Sequence, residues 1–242
     1  MCPMFAKDLQ EGLDGAEPLD GPPCCAALME ADLRELVGTV QNRDLRRLLD
    51  AVFGAQAPTW QDFRDAPAAK RMHQAYRHGL LEHSLSVAQA VSAMAATFQG
   101  IERDVAVAGA LLHDIGKLDA YAFGGAGIEM TDAGKLQGEI PLGYYRVRRL
   151  IDEIEGFEAR TAEALLHIIL SHHGCLEHGS PVLPSTREAT LVHFCDNLGG
   201  RLGSFDRLEK ELAAGERWSG YDRAIGGGAY FASSPEQERE AA

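Results

Sequence analysis

Residues 104–117 read DVAVAGALLHDIGK. From Val105 to Leu112 every residue is apolar or glycine, so a helix built on this stretch has no polar face to turn to water and belongs at the centre of its domain. Gly109, in its middle, lets a neighbouring helix come close. At its end stand His113 and Asp114, followed by Gly116. An imidazole and a carboxylate buried side by side are costly unless they are paired or bound to something. The rest of the chain therefore has to supply their partner.

Other polar residues lie on equally apolar helical patterns. In GLLEHSLSVAQAVSAMAATF, Leu80, Val87, Val91 and Met94 share one face at 3.6-residue spacing, and His83 lies on that face. RTAEALLHIILSHHG carries His172 and His173 at its end, with Gly174 in the C-cap role. STREATLVHFCDNLGGRLGSFDRLEKELA predicts a long last helix with Asp196 beside Cys195, Ser185 as N-cap, Glu188 completing a capping box, and bends at Gly199, Gly200 and Gly203.

The remaining patterns are also helical, and no alternating strand of useful length is present. ADLRELVGTVQNRDLRRLLDAVF gives two amphipathic helices. Pro67 suits the first turn of a further helix through PAAKRMHQAY, and Val147, Leu150, Ile151 and Ile154 mark another. YAFGGAGIEMTDAGKLQGEIP reads as a Gly-rich stretch able to shape or cover a cleft. Residues 1–28 read as a flexible arm, 29–230 as one all-α domain, and 231–242 as a frayed tail.

With 242 residues, 45% of them hydrophobic, one compact domain can bury a good-sized core. No apolar run approaches the roughly 18 residues a membrane span needs, and the N-terminus lacks the features of a secretory signal, which implies a cytoplasmic address. The five cysteines fit no metal-finger spacing and read as reduced thiols. A formal net charge of −13 disfavours a generic electrostatic grip on long nucleic acid. The basic run Arg146–Arg149 reads as a solvated helix face.

Singly, a core histidine is more often hydrogen-bonded than metal-bound. Four such segments together are harder to satisfy without a cation, because neutral imidazoles and carboxylates are what a divalent metal requires. The order His83, His113-Asp114, Asp196, with HDIGK around the doublet, resembles the HD-domain metal-dependent phosphohydrolase superfamily. GLLEHSLSVA, LLHDIGK, ILSHHGCLEHGSP and EATLVHFCDNL are most similar to the HD domain of YhaM-type 3'-5' exoribonucleases.

The resemblance implies an all-helical HD-domain bundle with divalent ions, two in number and Mn, Fe or Mg in kind, at its centre. It assigns His83, His113, Asp114 and Asp196 to a first ion, with Asp114 bridging to a second that takes His172 and His173. Where the family usually has a histidine in a G-H-I motif, this chain has GEI, so Glu139 occupies the second-ion position and makes the site richer in oxygen. DNLGG replaces the family's D-N-L-D at Gly199, and no strand-rich stretch corresponds to the OB-fold domain of the exoribonucleases.

The activity implied is divalent-metal-dependent phosphohydrolysis or phosphodiester cleavage of a nucleotide or short oligonucleotide. Asp114 is placed at the metals, and Lys117 at the phosphate or leaving oxygen. His73 and Glu177 are candidates for contacting substrate, and His167 for a supporting hydrogen bond to the site. Glu82 reads as a surface or supporting group. Two alternatives stay open: an HD-type di-iron oxygenase, and a regulatory module that binds a nucleotide without turning it over.

Overall fold

The computed structural model describes residues 25–70, 74–124, 127–213 and 215–232. Most of the expected N-terminal arm, His73 and the last ten residues of the tail lie outside the described residues. The helices run in chain order as α1 (Ala26–Gly38), α2 (Arg43–Phe53), α3 (Trp60–Asp65), α4 (Gly79–Ala95), α5 (Arg103–Leu112), α6 (Lys117–Ala120), α7 (Asp132–Gln137), α8 (Glu139–Asp152), α9 (Ala159–Ser171) and α10 (Arg187–Lys210). The fold is all-α as expected, apart from a short hairpin.

That hairpin pairs β1 (Tyr121–Gly124) with β2 (Gly127–Met130), Tyr121 facing Met130 across the antiparallel ladder. It forms within the Gly-rich stretch read as a loose cover. Only Ile128 of β2 is buried, so the stretch lacks the apolar alternation that announces a strand.

Helix α5 is central: it packs on α4, α9 and α10, and Val105 to Leu112 are all buried. Gly109 lies against Ile168 of α9, and a Cβ there would overlap the Ile168 side chain. The same core takes in Leu33, Leu45, Leu49 and Phe63 from the first three helices, so α1–α3 belong to the body that holds α5. Within α1–α3, Phe53 meets the rings of Trp60 and Phe63 edge to face, at 6.3 and 4.9 Å.

Helix α1 starts at Ala26. Two local expectations are corrected. The described residues between Ala66 and His78 do not form the helix anticipated from Pro67: Gln74 and His78 adopt positive φ, and the Gln74 carbonyl accepts from the Ala68 amide. Helix α10 begins one residue later than Ser185 implies. Its N-cap is Thr186, whose hydroxyl accepts from the Ala189 amide at 3.1 Å, while the Ser185 amide donates to the His167 ring at 2.8 Å. Glu188 closes no capping box. Its carboxylate accepts from the Glu102 amide at the start of α5 and ties two helix ends together.

Candidate metal centre

Three imidazoles at the centre, those of His113, His172 and His173, are each oriented by a backbone carbonyl. His113 is the residue that ends α5, and its Nδ1 lies 2.7 Å from the Ala110 oxygen. His172 ends α9 in the same way, with Nδ1 2.8 Å from the Ile169 oxygen, and the Nδ1 of His173 lies 2.7 Å from the His178 oxygen. A carbonyl only accepts, so Nδ1 carries the proton in each ring and the Nε2 lone pair is left for the centre. A histidine one turn past an i−3 carbonyl at a helix end is thus locked into one tautomer by local geometry.

Five helices, α4, α5, α8, α9 and α10, bring these nitrogens and carboxylates together. From α4, His83 Nε2 lies 3.2 Å from Asp114 Oδ2, 3.1 Å from Asp196 Oδ1 of α10, and 3.2 Å from His113 Nε2. The His113 Nε2 stands 3.3 Å from Asp114 Oδ2 and 3.8 Å from Asp196 Oδ1. The His172 Nε2 is 3.5 Å from Asp114 Oδ1, and His173 Nε2 is 3.3 Å from Glu139 Oε1 at the start of α8.

These donors form three overlapping groups: His83, His113 and Asp196; His113, Asp114 and His172; and Glu139, His172 and His173. Atoms bound about 2.1 Å from one ion stand roughly 3.0–3.4 Å from each other in octahedral or tetrahedral geometry. The contacts of His83, the His113–Asp114 contact and the His173–Glu139 contact, at 3.1–3.3 Å, fall in that range, while His172–Asp114 at 3.5 Å and His113–Asp196 at 3.8 Å lie beyond it. The buried Nε2 of His172 has no hydrogen-bond partner among the described residues, as befits a donor kept for a ligand. The donor set is nitrogen and carboxylate without sulfur, a set able to hold a divalent cation.

Electrostatics show how much charge the centre concentrates. Burial resists ionisation throughout, yet hydrogen bonds to Asp114 and Asp196 push His83 up to about 9, and one to Glu139 does the same for His173. His172, where burial dominates, is lowered. Against the cost of burial, the charges of Lys117 and His113 hold Asp114 well below the usual carboxylate range, and His83 with His113 hold Asp196 there too. Glu139 is lowered by Lys117 and His173 despite its burial. The Lys117 Nζ donates to Asp114 Oδ2 at 2.7 Å, and the carboxylates Asp114 and Glu139 raise it against a large burial cost.

Of the candidate residues, the structure gathers His83, His113, Asp114, Lys117, Glu139, His172, His173 and Asp196 into this cluster. Glu177 is exposed on the short 3-10 turn Leu176–His178. The His167 ring accepts from the Ser185 amide, holding the entrance of α10 instead of making the expected bond to the site. Glu82 takes a hydrogen bond from the Tyr76 hydroxyl. The run Arg146–Arg149 is not merely solvated: Arg146 forms a two-pronged pair with Asp119 at 2.7 and 2.8 Å.

Sequence reasoning missed the residues that hold His173 and Glu139 in place. The Ser180 hydroxyl accepts from the His173 amide at 3.1 Å, and the His178 carbonyl holds its ring. At Gly116 the φ is −66°, so its role is not a left-handed turn. A Cβ there would overlap the Glu139 carbonyl oxygen and come within 2.5 Å of the Gly143 nitrogen. Glycine is what lets α8 carry Glu139 up against the end of α5. The signal was present in HDIGK, but only the packed neighbour gives it meaning.

Comparison with known proteins accords with this geometry. A family model described as "HD domain" matches residues 80–200. The chain is 30% identical over 188 residues to a protein of Geobacillus sp. (strain WCH70) named 3'-5' exoribonuclease YhaM, covering 78% of this chain and 56% of that one. Over 206 residues it is 30% identical to the protein of that name from Listeria monocytogenes serotype 4b (strain F2365), covering 85% and 64%. With the Bacillus subtilis (strain 168) protein it shares 33% over 155 residues, covering 64% and 49%. In each pairing the chain spans less than two thirds of the relative's length. No solved structure matches it. No helix among the described residues is long and apolar enough to cross a membrane.

Proposed function

Since the chain belongs to the HD-domain family, we propose that it is a divalent-metal-dependent phosphohydrolase that cleaves a phosphodiester in a nucleotide or short oligonucleotide. The observation that carries this reading is Asp114. Its Oδ2 faces His83 and His113 while its Oδ1 faces His172, so one carboxylate stands between two donor sets. His83, His113, Asp114 and Asp196 would hold one ion. Asp114, Glu139, His172 and His173 would hold the second. The name 3'-5' exoribonuclease carried by the relatives supports RNA as the polymer from which the substrate derives.

Bound ions of this kind supply Lewis acidity: they make water nucleophilic near neutral pH and neutralise charge that builds on phosphoryl oxygens. The protein's part is to fix the donors before substrate arrives. Backbone carbonyls hold the rings of His113, His172 and His173, so no reorientation is required. Lys117, partly buried beside Asp114, places a permanent positive charge at the same point, suited to a phosphate oxygen or to the departing oxygen. We place the domain at residues 29–230, since α1–α3 share its core.

Elemental analysis of protein purified without chelator, together with hydrolysis of bis(p-nitrophenyl) phosphate under added Mn, tests the proposal. Two ions per chain with turnover is the expected result. Protein that takes up no divalent metal and shows no turnover would overturn it.

A further inference from the structure

Beyond α10 the chain builds a second feature that the metal centre does not use. Residues 217–231 fold back as a tight hairpin. The Phe231 amide donates to the Arg217 carbonyl at 2.8 Å, Ser219 to Ala229 at 2.9 Å, and Asp222 to Gly227 at 2.9 Å. The Asp222 carboxylate caps the turn through the Ala224 and Ile225 amides. Arg207 pins the unit to α10 by pairing with Asp222 at 2.5 Å, and the Phe231 ring meets Phe205 of α10 at 6.4 Å.

This small, rigid unit exposes its largest rings. Trp218 is 62% exposed, Tyr221 75% and Tyr230 49%, although the same hairpin has a buried Ala229. Trp218 and Tyr230 face each other at 5.1 Å with planes tilted by 53°, which leaves an outer face of each open. Two arginines, Arg217 and Arg223, flank them, against the single acid Asp222 that Arg207 neutralises. Exposed aromatic rings with interleaved arginine on an ordered support are what unpaired bases stack upon.

We propose that this hairpin is a stacking platform for the bases of single-stranded RNA. In a chain of net charge −13, a grip by many phosphate contacts is disfavoured, and stacking on the bases' π-faces supplies about 1–3 kcal/mol per base beside the charge of Arg217 and Arg223. The platform hangs from the helix that carries Asp196. Eleven residues separate Asp196 from Arg207, so the anchor lies about 16 Å along α10 at about 1.5 Å per residue. At about 3.4 Å per stacked nucleotide that is roughly five nucleotides. The part of the proposal that sends the strand's end to the metals rests on the phosphohydrolase reading; the platform itself does not.

The test is titration of the full chain with a fluorescein-labelled ten-nucleotide oligoadenylate RNA, with EDTA present to prevent turnover. Of the two tryptophans, Trp60 is 7% exposed, so quenching of intrinsic fluorescence reports on Trp218. Saturable quenching is expected. Trp218→Ala should raise Kd at least about fivefold, the low end for one stacked base. Trp218→Phe should lose the quench yet keep Kd within about threefold, which separates stacking from misfolding. Without EDTA, Trp218→Ala should raise KM for the ten-nucleotide RNA while leaving hydrolysis of bis(p-nitrophenyl) phosphate and of a dinucleotide unchanged.

Quenching in a protein that hydrolyses no phosphodiester would uphold the platform and sink the hydrolase reading. No quenching, with equal Kd for wild type and Trp218→Ala, would overturn the platform even if phosphodiesters are cleaved. A Trp218→Ala change in mass by light scattering, with no change in RNA binding, would also overturn it and identify the surface as a contact between copies of the chain.

Discussion

His172 Nε2 lies 3.5 Å from Asp114 Oδ1, and with the His113 and His172 rings edge to face at 4.9 Å this approach joins the end of α9 to the end of α5. Through it the donors around His83 and those around Glu139 become one continuous centre. Asp114→Asn keeps the shape but removes the charge both ions would share. We expect bound divalent metal to fall below one per chain and turnover of bis(p-nitrophenyl) phosphate to drop by more than about 100-fold, since even supporting contacts to metal sites are worth 10–100-fold. Metal content and rate unchanged from wild type would remove Asp114 from the centre.

Glu139 and His173 meet at the outer side of the cluster, 3.3 Å apart. Glu139→Gln leaves His83, His113 and Asp196 untouched. The stoichiometry expected by elemental analysis is therefore one ion instead of two, with little hydrolysis. Two ions in the variant would mean that Glu139 is not a ligand.

Lys117 donates to Asp114 from a partly buried position, and methionine keeps much of its aliphatic length, so Lys117→Met changes charge more than packing. Lys117→Met should retain two ions but lower kcat by about 10- to 1000-fold, with KM for an oligonucleotide moving much less. Loss of metal together with loss of rate would assign the lysine to holding Asp114 alone.

In protein stripped of metal, His83 and His173 are both pushed up to about 9 from the ordinary 6.5. Below about 9 the folded chain holds protons that an incoming ion has to displace, so apparent Mn affinity should rise with pH up to about 9 and flatten above. For the stripped protein the sign is opposite: a raised folded pKa adds stability that is complete below 6.5 and is lost as pH climbs through 9. Calorimetric Mn titrations at several pH values check the first, and thermal melts in EDTA the second. An affinity independent of pH would contradict the assignment.

Gly116 tests the packing behind the chemistry. Gly116→Ala forces a methyl group into the Glu139 carbonyl and the backbone of α8. Destabilisation of about 1–3 kcal/mol is expected, equal to several degrees in Tm for a chain of this size, together with weaker binding at the Glu139 side. A melting temperature equal to wild type would show that α8 can retreat at no cost.

Much of the fold was legible because helices announce themselves locally. The apolar run Val105–Leu112 could only be a central helix, and the two helices before Phe53 came from periodicity alone. Elements whose reasons are non-local were not legible. Ser185 and Thr186 are equally good caps by sequence, and the choice fell to Thr186 because His167 from α9 takes the Ser185 amide. Glu188 looked like half of a capping box, but its partner is an amide 86 residues away. The β1–β2 hairpin and the exposed aromatic hairpin after α10 are fixed by turn hydrogen bonds, which leave little periodic trace.

By itself the sequence determined that histidines and carboxylates stand on otherwise apolar helical patterns, where their burial is costly unless they are paired or take a shared ligand. Only the tertiary structure decided how they share it. Whether Asp114 serves one donor set or two depends on the distance between α5 and α9, and whether Glu139 reaches His173 depends on Gly116 admitting α8. Those distances are set by side-chain volumes packed between helices far apart in the chain, and no local pattern encodes them.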